Sequence, residues 1–409
     1  MTASPGESVA LTIEKPAAGG RMIARLDGQI VLVGGAIPGE RVTARIERTG
    51  KGVVYADTVA VDDASPDRRP AGDPLCGGCL YAHISYARQL DIKAQVIVDA
   101  FGRIGRLTLP SAIGVTGSPE QGYRMRARLH VRDGRAGFFR EGTHELCDVR
   151  STRQLLPATC DVLDRLVANL TVLGVDAVRA IELSENVDAS ERVAWLDTGM
   201  PIDAAALERL AAIDGLTGLG PYAAVIDRIA IGDFAPVALR RSVRAFFQGN
   251  RYLLGNLAAH VAGLVPTGVE LLDLYAGAGL FAMTAAATRQ ARVTAVEGDH
   301  VAAADLATNA AQYADVAVHH QAVEAFLEKD VKAPAAVILD PPRTGLSRAA
   351  LDGVIRLRAG RVIYVSCDVA TLARDARRLV DAGYAIERAD AFDLFPNTPH
   401  VETVVVFGS

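Results

Sequence analysis

The chain is short of nearly everything that marks a secreted, membrane-spanning or disulfide-built protein. It has five cysteines in 409 residues, an odd and sparse set that makes no disulfide framework and fits a reducing cytosol. No apolar stretch reaches the roughly 18 residues that a membrane span needs. The start, Met1-Thr2-Ala3-Ser4-Pro5-Gly6-Glu7, lacks the basic segment followed by an apolar one that a secretory signal requires. There is no internal repeat and no low-complexity tract. These absences make a cytoplasmic location without a membrane partner the expectation.

A basic balance is also missing. The net charge is −5, which at first argues against a polyanionic partner. Charge by segment is more informative. Residues 1–65 carry 7 basic and 8 acidic groups, residues 66–160 carry 14 and 9, and residues 161–409 carry 22 and 31. The positive excess is confined to the middle segment, the place to look for nucleic acid.

What is present is an ordinary globular composition, 50% hydrophobic and 22% charged, in a chain long enough for two or three domains. Residues 8–62 read as a small all-β unit. Short apolar runs such as Val9–Ile13 and Ile30–Val33 are broken by Gly19-Gly20, Asp27-Gly28, Gly34-Gly35 and Pro38-Gly39, a spacing that suggests an OB-like barrel. A Pro-rich linker follows over Ser65–Pro74, then a helix over roughly Ser85 to Ile104. Tyr123–Val131 reads as a strand with two faces. Period-two alternation puts Arg124, Arg126 and Arg128 on one surface, either a phosphate-contacting stripe or a solvated face.

From about Val269 the pattern becomes strand–helix–strand, the sequence form of an open, mostly parallel sheet. Leu271–Leu274 runs into Tyr275-Ala276-Gly277-Ala278-Gly279-Leu280, a turn in which glycine lets backbone approach a ligand. A second strand ends in Glu297, 24 residues after Asp273, where an acidic group accepts hydrogen bonds from ribose hydroxyls. Position three after Gly279 is Ala282, which leaves both a dinucleotide and S-adenosylmethionine open. Asp273 would repel a pyrophosphate and pair with a sulfonium, which favours the latter. A third strand ends in Asp340-Pro341-Pro342-Arg343-Thr344-Gly345, an extended backbone projecting from the edge where ligands bind. Cys367 closes a further apolar run, Ile363–Ser366, and is the only cysteine after position 160. A thiol there is either a nucleophile or a small core hydrophobe.

Taken together these residues resemble the S-adenosylmethionine-dependent RNA (uracil-5-)-methyltransferases, closest to the bacterial 23S rRNA branch. The N-terminal Gly20–Arg25, Asp27-Gly28 and Ile37–Val42 resemble a TRAM domain, and Cys76-Gly77-Gly78-Cys79 with Gln89-Leu90 and Lys93 matches the next block. Tyr123-Arg124, Phe246–Asn250, Asp273–Phe281, Asp340–Arg343, Ser366-Cys367 with Leu372–Asp375, and Asp393–Glu402 follow in order. The implied architecture is α/β: a Rossmann-like methyltransferase domain over 244–409, preceded by the TRAM barrel over 1–65 and a mixed central domain over 66–243. The helix at about 85–104 belongs to that central domain or packs on the catalytic one.

The resemblance implies Cys367 as nucleophile and Glu402 as base. It implies Gln248, Tyr275, Leu280, Glu297 and Asp340 as cofactor contacts, beside Asp273, Gly277 and Gly279 from the turn itself. Phe246, Arg343, Arg124, Arg126 and Arg128 fall to the RNA. One of Phe246 and Phe247 is expected in the core, and His400 is expected to position Glu402 through a hydrogen bond. Asp368-Val369 stands where the family usually has Asn-Pro. Some members hold a [4Fe–4S] cluster on four cysteines, but Pro70 and Thr152 occupy two of the positions. The cluster is therefore not expected, with Cys76, Cys79 and Cys147 as the remaining candidate ligands.

The implied partner is RNA, ribosomal in preference to transfer RNA, and not DNA. A tRNA 5-methyluridine enzyme and a non-catalytic RNA-binding assembly factor are the alternatives. A dehydrogenase reading leaves Cys367 and Glu402 unexplained.

Overall fold

The computed structural model describes residues 4–70, 72–329 and 331–409; the first three residues of the start read above lie outside them. Strands Ser8–Pro16, Met22–Leu26, Gln29–Gly34, Arg41–Gly50 and Val53–Asp63 close into a barrel. Closure follows from alternation: Leu11, Ile13, Val31, Val33, Val42, Ala44 and Ile46 point inward and are buried, and closing the sheet leaves no free edges. The barrel docks through charge. Glu40, buried, pairs with Arg68 at 2.6 Å, and Arg21 is bound by Glu47 and Asp57 of the barrel and by Glu141 of the central unit.

The central unit is a six-stranded sheet in the order Gly218–Leu219, Arg192–Thr198, Val178–Glu185, Arg126–Arg132, Arg135–Phe139, Leu146–Asp148. Helix Pro157–Val172 covers one face, burying Leu163, Leu166 and Leu170 against Leu129, Ile181 and Leu183. The hairpin Ala224–Ile231 and Phe234–Ser242 belongs by packing to the C-terminal core, since Ile229, Ile231, Val237 and Leu239 join its main apolar cluster. Arg241, fully buried and paired within the hairpin with Asp227 at 2.5 Å, ties the hairpin to the central sheet by donating to Ser184 and the Glu185 carbonyl.

The C-terminal sheet has eight strands in the order Val316–His320, Arg292–Glu297, Glu270–Leu274, Ala336–Leu339, Arg361–Ser366, Glu402–Gly408, Ala385–Phe392, Val115–Thr116. The first five run parallel, and Glu402–Gly408 is inserted antiparallel beside Arg361–Ser366. Ala336–Leu339 is buried at every residue, the pattern of a strand covered on both faces. The edge strand Val115–Thr116 comes from the segment after helix Tyr86–Ala100. That helix continues as a π-helical turn, Phe101–Gly105, and packs Ile97, Ala100 and Phe101 into the C-terminal core.

Candidate active site

Strand order reverses between Glu270–Leu274 and Ala336–Leu339, and in open sheets of this kind ligands sit beyond the carboxyl ends of the strands at such a switch. A cleft of about 640 Å³ opens there, a volume within the range of small-molecule sites. Gln248, Tyr275, Gly277, Leu280, Glu297, Asp340, Arg343, Phe246, Arg126, Cys367 and Glu402 all line it. Residues from seven separate segments thus converge.

The glycine turn forms one wall. Tyr275, Gly277 and Gly279 all lie in the left-handed region, with φ of 63°, 55° and 95°. Gly279 is required twice over, because a Cβ there would also meet Leu306 Cδ1 at 2.8 Å. Around Gly277 that side is open, with nothing within 4 Å of a Cβ. Glu297, at the end of the second strand, accepts from the Gly277 amide at 2.8 Å and the Asp299 amide at 2.6 Å. Those bonds hold its carboxylate on the cleft floor.

Two carboxyls lie at the switch point. Asp273 is fully buried below the cleft and does not line it. Neither of its oxygens has a donor in good geometry. Burial, then the charge of Asp340, raises its pKa well above the usual carboxylate range, and the nearby Ala282 amide offsets this only in part. Asp340 faces the cleft and accepts from Gln248 Nε2 at 3.3 Å. Burial raises it to about 7 despite that bond. Two carboxyls without a cationic partner, a ribose-spaced acid and an open glycine turn suit the sulfonium donor expected from the resemblance.

Cys367 and Glu402 come from neighbouring antiparallel strands. The last register pair is Ser366–Thr403, so each lies one residue beyond it and the two face one another across the cleft's end. Asp368 then caps helix Val369–Asp381, accepting from the Ala370 and Thr371 amides. An aspartate thereby meets the capping need at the position where the family usually has asparagine. The Cys367 thiol is pushed up to about 12, first by burial and then by Glu402, with Arg343 opposing both. Glu402 is raised well above the usual range by burial and by Asp340, again opposed by Arg343. Its Oε1 has no partner among the described residues. A thiol, a carboxyl and a guanidinium therefore share one low-dielectric pocket.

Several expectations divide here. Phe247 is buried while Phe246 is 59% exposed, which separates the pair into core and rim. Gly279 shapes the turn without lining the cleft. The three arginines do not form a free row. Arg124 turns inward to Gln154 and over the Phe138 and Phe395 rings. Arg126 and Arg128 both bind Glu182 from the neighbouring strand, and Arg128 also binds Asp197. His400 corrects its expectation: its ring packs edge-on to Phe395, and no side-chain hydrogen bond from it to Glu402 is present among the described residues. Asp299, Ala302, Phe395 and Arg244 also line the cleft and were not singled out by sequence. Only Asp299, two residues past Glu297, carried a local signal, as the cap of helix His300–Ala310.

The cysteines correct another expectation. Cys76 and Cys147 form a disulfide with Cα atoms 5.8 Å apart, although five sparse cysteines argued against such a bond. Strand Leu146–Asp148 pairs with Arg135–Phe139 and Cys76 bridges to Arg140 just past that strand, which brings residues 71 apart in sequence within bridging range. Cys79 packs beside them and Cys160 belongs to the separate core under helix Pro157–Val172. No group of three or more His, Cys, Asp or Glu among the described residues is arranged to hold a metal ion. A [4Fe–4S] cluster needs four thiolates, and this donor set does not fit it.

Residues 237–408 match the family described as tRNA (Uracil-5-)-methyltransferase, and residues 3–59 match the TRAM domain. The chain is 34% identical to the 23S rRNA (uracil(1939)-C(5))-methyltransferase RlmD of Pseudomonas putida, over 98% of this chain and 94% of that protein. An uncharacterized RNA methyltransferase of Streptomyces avermitilis is 31% identical over 98% and 97%. The crystal structure of Pyrococcus abyssi tRNA (uracil-54, C5)-methyltransferase in complex with S-adenosyl-L-homocysteine superposes with a TM-score of 0.72, covering 97% of this chain and 99% of that one at 23% identity.

Proposed function

The chain belongs to the RNA (uracil-5-)-methyltransferases, and on that premise we propose that it methylates C5 of a uridine in 23S rRNA through a covalent adduct on Cys367. S-adenosylmethionine, when bound, supplies an electrophilic methyl group. Tyr275, Gly277, Leu280 and Glu297 would hold its nucleoside portion. Asp340, with Gln248 bonded to it and Asp273 beneath, would face its sulfonium. The observation that carries the reading is the shared cleft, where Cys367 and Glu402 stand beside Asp340 and the glycine turn.

The chemistry needs both groups. C5 of uracil is a poor nucleophile. Bonding of the Cys367 thiolate to C6 pushes the ring electrons toward C5 and the C4 oxygen, and C5 then takes the methyl group by in-line displacement. Glu402 removes the C5 proton, the C5–C6 double bond reforms and the thiolate leaves. One forbidding step becomes several easier ones.

The resting thiol is protonated because of burial and Glu402. Arg343 favours the thiolate, and the thiol proton is given up to solvent as the thiolate forms, which leaves the Glu402 carboxylate to take the C5 proton. A uracil carbonyl near that guanidinium would also gain stabilisation as charge develops on it.

Ribosomal RNA is preferred because the 23S rRNA relative aligns along nearly the whole chain, barrel included. The test is incubation with methyl-labelled S-adenosylmethionine and separated ribosomal and transfer RNAs, followed by mapping of the modified uridine. Label in 23S rRNA at a single 5-methyluridine is expected. Label confined to tRNA would overturn the substrate, and no label in either would overturn the reading.

A further inference from the structure

Beside the cleft stands an aromatic–cation pair that the mechanism does not use. Trp195, on strand Arg192–Thr198, carries the Arg244 guanidinium over its ring, with Cζ 4.8 Å from the centroid. The indole is held from below by the small core of Val193, Val225 and Val243. Arg244 is exposed and lines the cleft, as do Phe246, two residues on, and Arg126. Arg126 is committed to Glu182, the residue directly opposite Trp195 on the neighbouring strand. Arg244 has no ion pair among the described residues. It is a guanidinium held over an indole ring, without a carboxylate partner among the described residues, at a lining position of the cleft that must receive a base.

A nucleotide cannot enter such a cleft alone. Extruding the target base pulls its chain neighbours to the rim and leaves their faces unstacked. A planar guanidinium backed by an indole offers a stacking face to a base and free N–H groups to a phosphate. We propose that Trp195 and Arg244 form a stacking ledge for the nucleotide adjoining the target uridine, with Phe246 on the same rim. This rests on the RNA-methylation reading and extends it to a specificity subsite. A protein partner would find the same arginine, but the ledge runs into the cleft rather than onto a separate surface, which favours the RNA strand that the cleft receives.

Trp195 is the sole tryptophan, so its emission reports on the ledge directly. The probe is a short single-stranded RNA with one uridine flanked by adenosines, compared with the same RNA carrying abasic flanks. Titration of the full-length protein with the first should change Trp195 emission, and the abasic version should not. Arg244→Ala should raise KM for the adenosine-flanked RNA by roughly 10-fold, as loss of one stacked base would, with kcat and S-adenosylmethionine affinity moving less than twofold. Arg244→Lys keeps the charge without the plane and should recover little, whereas Trp195→Phe should recover most of the affinity that Trp195→Leu loses.

Equal emission changes for both RNAs would reduce the ledge to a phosphate contact and overturn the stacking claim. Unchanged emission and KM in a protein that still methylates RNA would overturn the ledge alone, and would leave a protein partner as the remaining use of Arg244. An emission change confined to the base-flanked RNA, in a protein that transfers no methyl group, would support the ledge and overturn the function on which it was built.

Discussion

The Glu402 carboxyl raises the thiol pKa of Cys367, second only to burial, while the Arg343 guanidinium lowers it. Both acids sit just past the Ser366–Thr403 register pair, so their coupling is built into the backbone. Only the thiolate is alkylated, which makes the coupling measurable without RNA. In Glu402→Gln the negative neighbour is gone and the thiol pKa falls. Iodoacetamide should then modify Cys367 faster than in the wild type across an alkaline pH series in which Glu402 is ionised, read by peptide mass spectrometry. A rate unchanged or slower than wild type would break the coupling.

Cys367→Ala should abolish methyl transfer, because no other free thiol lines the cleft, while binding of S-adenosylmethionine survives within a few-fold. Glu402→Gln should stop later in the reaction. With the C5 proton retained, the thiolate cannot leave, so RNA stays bonded to the protein and shifts it on a denaturing gel. Residual turnover by the alanine variant, or no shifted band with the glutamine variant, would count against the adduct.

Donor binding should depend on pH in a charge-specific way. Asp340 titrates at about 7 before any cation is bound. It is ionised above that value and neutral below it, and a sulfonium gains only from the ionised form. Affinity for S-adenosylmethionine should therefore fall as pH drops from 8 to 6, by up to about tenfold per pH unit at most. S-adenosylhomocysteine, whose sulfur is neutral, should fall much less. Calorimetry of both ligands at the two pH values decides it, and parallel losses would remove Asp340 from the sulfonium's surroundings.

The parts of this site that were legible in sequence are those formed by contiguous residues. The turn Tyr275–Leu280, the Asp340–Arg343 projection and the end of strand Arg361–Ser366 each announce themselves as an apolar run meeting a distinctive turn. What was not legible depends on partners far along the chain. Glu182 neutralises Arg126 and Arg128 from a strand more than 50 residues away, so the alternation read correctly as a face and still did not reveal its charge. Cys147 meets Cys76 because both lie against the strand Arg135–Phe139 and its end, and Trp195 meets Arg244 from the segment just past strand Phe234–Ser242. Periodicity reports which face a side chain takes, but not what stands opposite.

The loop that delivers Glu402 depends on a helix 300 residues earlier. Lys93, on helix Tyr86–Ala100, pairs with Asp393 at 2.5 Å with both side chains buried, and also donates to the Phe395 carbonyl. Gln89, one turn before it, accepts from the Asn397 amide and donates to its side chain. Together they fix residues 393–397, just ahead of Glu402. Breaking one partner of a buried pair strands the other charge, at a cost of about 3–5 kcal/mol. Lys93→Met should therefore lower the melting temperature by several degrees or more and reduce kcat through misplacement of Glu402. Lys93→Met with Asp393→Leu removes the stranded charge and should recover much of the stability. The lost backbone anchor at Phe395 remains in the double variant, so kcat should recover less than stability does. Equal recovery of both would mean that the pair holds the fold together without positioning the carboxylate.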